Sequence, residues 1–291
     1  MQTLPTHFLE LSDGRRLCYC EFGDRSGTPV FYCHGFPSSR LEARLAAEAA
    51  QKLHIRLIAV DRPGLGQSSP QPDRHFKDFP DDIVALADHL NIERFSLVAV
   101  SGGGPYAMAC AEQHPLRVDK LVLICTLGSY EPDGSTKGMR YILSFIIQFV
   151  RYMPGAGHWF VRHIVCPILG RFPKLILLMY VNRLTQSERT AFQDKMFYDN
   201  FLGAMRESFN QGSAGPAWEL KLITSAWDIN PANIKAETWL WHGEADSVVP
   251  SSHGHRHAKL IPNCHASFLP EEGHFSLIYN QMETILSKVV E

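Results

Sequence analysis

The sequence predicts an α/β fold: a mostly parallel, eight-stranded sheet with helices on both faces and an inserted helical segment. Several short apolar runs lack polar alternation, which is typical of strands buried on both faces. Segments with helical periodicity separate these runs, and such alternation favours a parallel sheet covered on both sides. The alternation stops after residue 126 and returns near residue 231, which indicates an insertion rather than a second consecutive domain.

The first two predicted strands form a hairpin. Residues 8–11 and 15–22 are strand-like runs, and the Asp13-Gly14 pair between them is a strong hairpin signal. The later strands are inferred from continuous apolar runs with few polar residues. They cover residues 30–33, 57–60, 95–100, 121–125, 238–242 and 266–269.

Five helices are predicted between these strands and after them. Residues 40–53 are rich in Ala, Leu, Glu and Lys, and residues 79–90 repeat apolar side chains with a period near 3.6. Residues 105–113 begin with proline, which is favoured in the first turn of a helix. Residues 253–260 and 275–290 supply the last two helices of the sheet region.

The predicted core therefore comprises residues 1–126 and 231–291, and residues 127–230 form a helical cap insertion. The insertion is rich in aromatic residues, so it would roof an apolar pocket that selects the substrate. The same aromatic residues would equally serve as the cap's own core and its seam with the sheet. A third interpretation is contact with a lipid surface or with a partner subunit, as in a homo-oligomer formed through the cap.

The longest apolar stretches lie inside this insertion. Residues 141–150 and 175–181 are each well short of the roughly 20 residues that a membrane-spanning helix needs. Basic residues interrupt the region between them. We therefore expect amphipathic segments and no transmembrane span.

Composition excludes two broad classes of protein. The chain has 291 residues, of which 45% are hydrophobic and 11% aromatic, so it is not a largely disordered chain. Its net charge of −2 lacks the basic excess of a nucleic-acid binder, and no nucleic-acid partner is expected.

The seven cysteines indicate a reducing compartment. Their number is odd, they are scattered, and none forms a CxxC pair. Residues 1–10 lack the basic start and apolar stretch of a signal peptide. A cytoplasmic location is the resulting expectation.

The segment with the clearest chemical meaning is residues 95–104, FSLVAVSGGG. A buried strand ends at Ser101, and glycines and a helix start follow at once. Ala99, Ser101 and Gly103 form a small-x-Ser-x-small pattern, which suits a sharp strand-to-helix turn that presents a nucleophilic hydroxyl. A glycine-rich loop without chemistry is the alternative, and a phosphate cradle is a poor one because no GxxxxGK[ST] or GxGxxG pattern occurs.

A nucleophilic serine needs a base, a carboxylate that orients the base, and donors for the oxyanion. His274 lies after the last predicted strand and before the last helix. Asp246 lies after the preceding strand, and Glu244 and Asp228 are rival carboxylates. The chain order Ser…Asp…His is one of the known orders of a catalytic triad.

Five motifs in this order give the chain a resemblance to the α/β-hydrolase superfamily over nearly its whole length. Residues 34–37 (HGFP) resemble the family's oxyanion loop, and residues 61–68 (DRPGLGQS) resemble its turn after the fourth strand. The turn at Ser101, the loop of Asp246 and the Gly273-His274 pair complete the set. The resemblance is to a capped serine hydrolase or esterase, with proline iminopeptidases and C–C bond hydrolases as relatives.

The resemblance implies a role for each site residue. Ser101 is the nucleophile, His274 the general base and acid, and Asp246 the residue that orients His274. The backbone N–H groups of Phe36 and Gly102 would hold the oxyanion. The substrate pocket is expected to include two aromatic residues, Phe36 and Tyr106, and His34 is expected to shape its loop.

Two further patterns invite other interpretations. His253, His255 and His257 could suggest a metal site, but nearby carboxylates do not complete a ligand set, so a solvated helix start is the simpler prediction. Arg62 could bind a substrate carboxylate, although the resemblance makes its turn structural. No metal and no cofactor are expected.

The sequence favours a serine hydrolase that cleaves a carboxylic ester or thioester of a fairly apolar small molecule. Two alternatives remain open. One is a C–C bond or amide hydrolase, or an acyltransferase, that uses the same triad. The other is a ligand-binding receptor-like protein with slow turnover. The natural substrate and the oligomeric state are not predicted.

Overall fold

The computed structural model describes residues 6–130, 136–181 and 184–291. The first five residues of the predicted core and two short pieces of the predicted cap lie outside the described residues. The segment considered for a signal peptide is therefore described only from Thr6 onward.

The described residues contain one sheet of eight strands in the order β1-β2-β4-β3-β5-β6-β7-β8. β2 is antiparallel to both of its neighbours, and every other neighbouring pair is parallel. The prediction of a mostly parallel eight-stranded sheet is thus confirmed. The strands are β1 His7–Glu10, β2 Arg16–Gly23, β3 Thr28–Cys33, β4 Ile55–Val60, β5 Phe95–Val100, β6 Val118–Ile124, β7 Glu237–Gly243 and β8 Cys264–Leu269.

Helices cover both faces of this sheet. The described α-helices are α1 Ala47–Lys52, α2 Phe79–His89, α3 Gly104–Gln113, α4 Tyr141–Tyr152, α5 Pro154–Phe160, α6 Cys166–Arg171, α7 Pro173–Val181, α8 Gln186–Gln193, α9 Lys195–Ser208, α10 Ala214–Thr224, α11 Ser251–Leu260 and α12 His274–Ser287. One predicted helix differs, because residues 40–53 divide into 3₁₀ turns over Arg40–Ala46 and the short helix α1. A π-helical turn, Val161–Val165, joins α5 to α6.

The two sides of β5 show how the core is divided. Leu97 and Ala99 pack into a cluster with residues of α2 and α3, and Val98 and Val100 pack into a second cluster with residues of α1 and α12. Because successive strand residues point to opposite faces, a strand buried on both sides is mostly apolar, and Ser96 is the one polar residue of β5. All six residues of β5 are buried, as the continuous apolar run predicts.

Helices α4 to α10 lie between β6 and β7 in the chain, and buried ion pairs join them to the sheet. The carboxylate of Glu219 on α10 accepts hydrogen bonds from Arg62 Nε at 2.7 Å and Arg74 Nη2 at 2.6 Å. The Tyr106 hydroxyl donates to the same carboxylate at 2.8 Å. Both oxygens of a fully buried carboxylate are therefore occupied by groups from outside the inserted helices.

Asp61, the residue before Arg62, forms a second buried set of hydrogen bonds and ion pairs. Asp61 accepts hydrogen bonds from the backbone N–H groups of Arg40 at 2.8 Å and Gln67 at 2.9 Å. The Arg40 guanidinium bridges Asp61 to Glu207 on α9, with 2.9 Å between Nη1 and Glu207 Oε1. Consecutive residues after β4 thus connect to two different inserted helices.

No single helix among the described residues is long and apolar enough to cross a membrane. The segments Pro154–Arg171 and Pro173–Val181 together have the length and the apolar composition of a span, but they are bent by 85° relative to each other.

Replacing Glu219 with Gln should lower the free energy of unfolding by about 3–5 kcal/mol, because two buried guanidinium groups would lose their shared counter-charge. Urea denaturation followed by circular dichroism measures this change. Glu48→Gln is the matched control, since it removes a carboxylate from an exposed pair with Lys52, and we expect it to cost less than about 1 kcal/mol. Equal effects of the two substitutions would contradict the anchoring role of Glu219.

Candidate active site

The site begins at the end of β5, where the chain turns sharply into α3. Ser101 follows β5 directly and has a φ of +51°, a left-handed conformation that non-glycine residues adopt only under constraint. A 3₁₀ turn over Ser101–Gly103 then leads into α3. Ser101 is buried with 7% of its surface exposed, and it lines a cavity. The predicted strand–turn–helix geometry is therefore present at this serine.

Close backbone approach explains the glycines that follow the serine. A Cβ atom at Gly103 would lie 2.1 Å from the carbonyl oxygen of Cys33, so only glycine fits there. A Cβ atom at Gly102 would lie 2.9 Å from Phe36 Cβ and 3.3 Å from Phe36 N. The turn thus packs against the loop after β3, and the backbones of Gly102 and Phe36 lie side by side.

His274 and Asp246 come together at the ends of neighbouring strands. Asp246 follows β7, His274 is the first residue of α12, and Asp246 Oδ2 lies 2.7 Å from His274 Nδ1. Asp246 Oδ1 accepts the backbone N–H groups of Val248 and Val249, each at 2.8 Å. The carboxylate is fully hydrogen-bonded, and the imidazole faces the same cavity as Ser101.

The buried pair determines the titration of both groups. Burial lowers the pKa of His274, but the charge of Asp246 and its hydrogen bond raise it more, so the pKa lies above the usual 6.5. Burial raises the pKa of Asp246, and the imidazolium charge and hydrogen bond outweigh this, so that pKa lies below the usual 3.8. The arrangement favours an ionised carboxylate that stabilises a protonated imidazole.

The rival carboxylates lie elsewhere. Glu244 interacts at the surface with Ser251 at 2.5 Å and His255 at 2.9 Å. Asp228 is exposed and accepts the backbone N–H of Lys77. Of the three carboxylates considered, only Asp246 contacts His274.

Glu188 is a functional neighbour that the sequence analysis missed. Its Oε1 accepts the backbone N–H groups of His274 at 2.7 Å and Phe275 at 3.3 Å, at the start of α12. A carboxylate at a helix N-terminus is favourable, and this one also contributes to the raised pKa of His274. The only local signal was the capping pattern from Thr185 to Glu188, which suggests a role at the start of α8 instead.

The loop after β3 is held by charged side chains on two sides. Arg62 donates to the carbonyl oxygens of His34 and Gly35, the latter at 2.9 Å. On the other side, Glu42 accepts the Gly35 N–H at 2.9 Å and the Tyr32 hydroxyl at 3.1 Å. Because the Arg62 guanidinium is fully buried and bonded to these carbonyls and to Glu219, Arg62 has a structural role in holding this loop.

The cavity itself is apolar and has a volume of about 260 Å³. Ser101 and His274 are among its few polar lining residues. Side chains from the inserted helices form much of its wall, among them Ile147 on α4, Leu177 on α7 and Phe201 on α9. Phe36 also lines the cavity.

Tyr106 does not line this cavity, which corrects the prediction for that residue. Its ring is fully buried and packs against Phe76 and Phe79, and its hydroxyl donates to Glu219. Proximity in sequence to Ser101 was misleading because this residue of α3 points towards the buried ion pairs.

The histidines of α11 also differ from their prediction. His253 and His257 are buried rather than solvated. His253 Nδ1 accepts the Gly128 N–H at 2.8 Å, and His257 Nε2 lies 2.8 Å from the Leu127 carbonyl oxygen. They hold the chain where it leaves β6, and His255 remains at the surface beside Glu244.

Three other side chains of types that bind metal ions lie close together. Within the described part of the chain, Cys125, His242 and Asp246 have ligand atoms within 4.8 Å of one another. The Asp246 oxygens are occupied by His274, Val248 and Val249. The donor set therefore fits a hydrogen-bonded carboxylate better than a metal centre.

Comparisons with known proteins identify the family of the fold. A profile of the family described as alpha/beta hydrolase fold matches residues 28–281. The uncharacterized hydrolase YcgS of Bacillus subtilis is 33% identical over 252 residues, which cover 85% of this chain and 84% of that protein.

Two further similarities are more distant. The dihydrolipoyllysine-residue acetyltransferase component of an acetoin cleaving system from Pseudomonas putida is 26% identical over 266 residues. The match covers 90% of this chain and 62% of that relative, so the chain spans less than two thirds of its length. An esterase from Exiguobacterium antarcticum has a TM-score of 0.72 and 19% identity, covering 99% of this chain and 100% of that chain. The similarity to the esterase shows the fold alone.

Glu188→Gln should shift the titration of His274 to lower pH. The amide keeps an oxygen that accepts the His274 and Phe275 N–H groups but removes the charge that favours imidazolium. NMR of the imidazole nitrogens measures the His274 pKa directly, with a midpoint above 6.5 expected in the native protein. The control Glu244→Gln removes a surface carboxylate beside the Asp246 loop and should leave the midpoint unchanged. A native midpoint at or below 6.5, or equal midpoints in all three proteins, would count against this account.

Proposed function

The chain belongs to the alpha/beta hydrolase family, and from this we propose that it is a serine hydrolase acting on a small molecule through an acyl-enzyme on Ser101. The observation that carries the proposal is the 2.7 Å contact between Asp246 and His274, because His274 lines the same cavity as Ser101. A nucleophile and a base then face one apolar space, and a carboxylate holds the base.

In the proposed mechanism, Ser101 Oγ attacks the carbonyl carbon of the substrate and His274 accepts its proton. Asp246 holds the imidazole through Nδ1 and stabilises its positive charge. The N–H groups of Phe36 and Gly102 donate to the developing oxyanion, each contributing about 3–4 kcal/mol to the transition state. His274 then protonates the leaving group, and water activated by the same histidine releases the acid.

The rigid loop after β3 supports this oxyanion assignment. Arg62 binds the two carbonyl groups that precede Phe36, and Glu42 binds the Gly35 N–H, so the Phe36 N–H has a fixed direction. Gly102 has no side chain between its own N–H and Phe36. Donors that are fixed before the reaction avoid a reorganisation cost in the transition state.

The cavity supports a carboxylic ester or thioester of a fairly apolar acid as the substrate. Its wall is mostly aliphatic and aromatic, and the inserted helices supply much of it. We assign residues 127–230 as a cap that selects the acyl or alcohol group, and residues 1–126 and 231–291 as the catalytic core. All seven cysteines are free, and this supports a cytoplasmic location.

Labelling with a fluorophosphonate followed by intact-mass spectrometry tests the nucleophile without knowledge of the substrate. We expect one adduct on the native protein and none on Ser101→Ala. Ser38→Ala is the matched control, because Ser38 is also a buried serine on the cavity wall, and it should keep the adduct. An unlabelled native protein, or an adduct that persists on a folded Ser101→Ala, would overturn the assignment.

A series of p-nitrophenyl esters of increasing acyl length tests the substrate class. Burial of each added methylene in the apolar cavity is worth about 0.8 kcal/mol, so kcat/KM should rise roughly fourfold per carbon until the cavity is full. Anilides of the same acids serve as the comparison for amide cleavage. Faster cleavage of the anilides, or a preference for acetate over longer acids, would refute an ester hydrolase of apolar acids.

A further inference from the structure

The outer side of helices α4 to α7 carries an unusual concentration of exposed apolar side chains. Of the 18 large apolar residues exposed in the described chain, 12 lie between Tyr141 and Met179. Tyr141 is 86% exposed, Trp159 58% and Leu175 54%. We call the exposed side chains of residues 141–181 the outer cap surface. A patch this concentrated marks an interaction site on a folded protein.

Helix α4 is apolar on two opposite faces. Tyr141, Phe145 and Tyr152 follow helical spacing and are exposed, whereas Ile146 and Ile147 line the cavity. Helices that are apolar around their whole circumference normally have apolar surroundings on every side. The cavity accounts for one face of α4, and the exposed apolar side chains lie on the other.

Helix α7 repeats this arrangement. Leu175, Leu178 and Met179 are exposed, and Leu177 and Tyr180 line the cavity. Two helices that together roof the cavity therefore present their opposite faces, also apolar, to the outside.

The charge of this region identifies the kind of partner. Residues 134–187 contain none of the chain's 30 Asp and Glu and seven of its 28 Lys and Arg. Arg162, Arg171 and Lys174 are exposed and form no ion pair with any residue in the described ranges. The rest of the chain has 30 Asp and Glu against 21 Lys and Arg, so the segment that carries the outer cap surface is basic in an otherwise acidic chain.

We propose that the outer cap surface docks on an anionic lipid bilayer. Exposed aliphatic and aromatic side chains insert at the level of the headgroups, and the cations attract negatively charged lipids. Trp159, Tyr141 and Tyr152 are residue types that concentrate at the membrane–water interface. A second copy of the chain fits less well, because a two-fold contact would bring the same cations together.

Sedimentation with lipid vesicles tests this surface independently of any enzymatic activity. We expect the full chain to bind vesicles made of equal parts phosphatidylcholine and phosphatidylglycerol, and to bind pure phosphatidylcholine much more weakly. High salt should weaken the binding because it screens the cations. Quenching of Trp159 fluorescence by brominated lipid, absent in Trp159→Phe, should show that this face contacts the bilayer.

A charge variant and its matched control locate the binding. The triple variant Arg162→Gln, Arg171→Gln, Lys174→Gln should lower the partition coefficient onto the anionic vesicles about 100-fold. The control Arg25→Gln, Lys235→Gln, Lys259→Gln removes three exposed cations from the sheet region and should bind like the native protein.

Three results would overturn the proposal. The first is no binding to anionic vesicles, and the second is an equal loss of binding in both triple variants. The third is a native dimer in sedimentation equilibrium that the Arg162→Gln, Arg171→Gln, Lys174→Gln variant dissociates, in a protein that does not bind vesicles. The last result would assign the outer cap surface to contact between copies of the chain.

Discussion

Two consecutive buried charges, Asp61 and Arg62, constrain the rest of the molecule. A buried charge is tolerated only when it is paired and hydrogen-bonded, and each of these residues obtains its pairing from a different part of the chain. Asp61 is joined through Arg40 to Glu207, and Arg62 is joined to Glu219. Arg62 also donates hydrogen bonds to the loop that carries Phe36. The residue that anchors the inserted helices through Glu219 therefore also fixes the loop of the proposed oxyanion donor.

The site is therefore a joint product of the sheet and the insertion. The strands supply the positions of Ser101, Asp246 and His274, as their order in a parallel sheet requires. The insertion supplies Glu188, whose charge adds to that of Asp246 in raising the pKa of the buried imidazole. Desolvation alone would lower that pKa, so the basicity of His274 depends on carboxylates from both parts.

Sequence patterns predicted the strands, the turn at Ser101 and the chain order of the site residues because each depends on local periodicity or on a short motif. They did not reveal Glu188 or Glu219, whose partners lie 86 and 157 residues away and leave no local signal. They misplaced Tyr106, since adjacency to the turn does not determine which side of α3 a residue occupies. They also misjudged His253 and His257, because a polar helix start resembles a solvated one until its packing is known.

The ion pair between Arg62 and Glu219 has a consequence for how the protein is made. On the ribosome, strands β1 to β6 emerge before α10. Glu219, the ion-pair partner of Arg62, is therefore synthesised 157 residues after it. At ordinary elongation rates that interval is about 8–30 s. During it, the nascent sheet holds an unneutralised guanidinium where the finished protein is dry. We therefore expect water to solvate Arg62 until α10 supplies Glu219, before β7 and β8 complete the sheet.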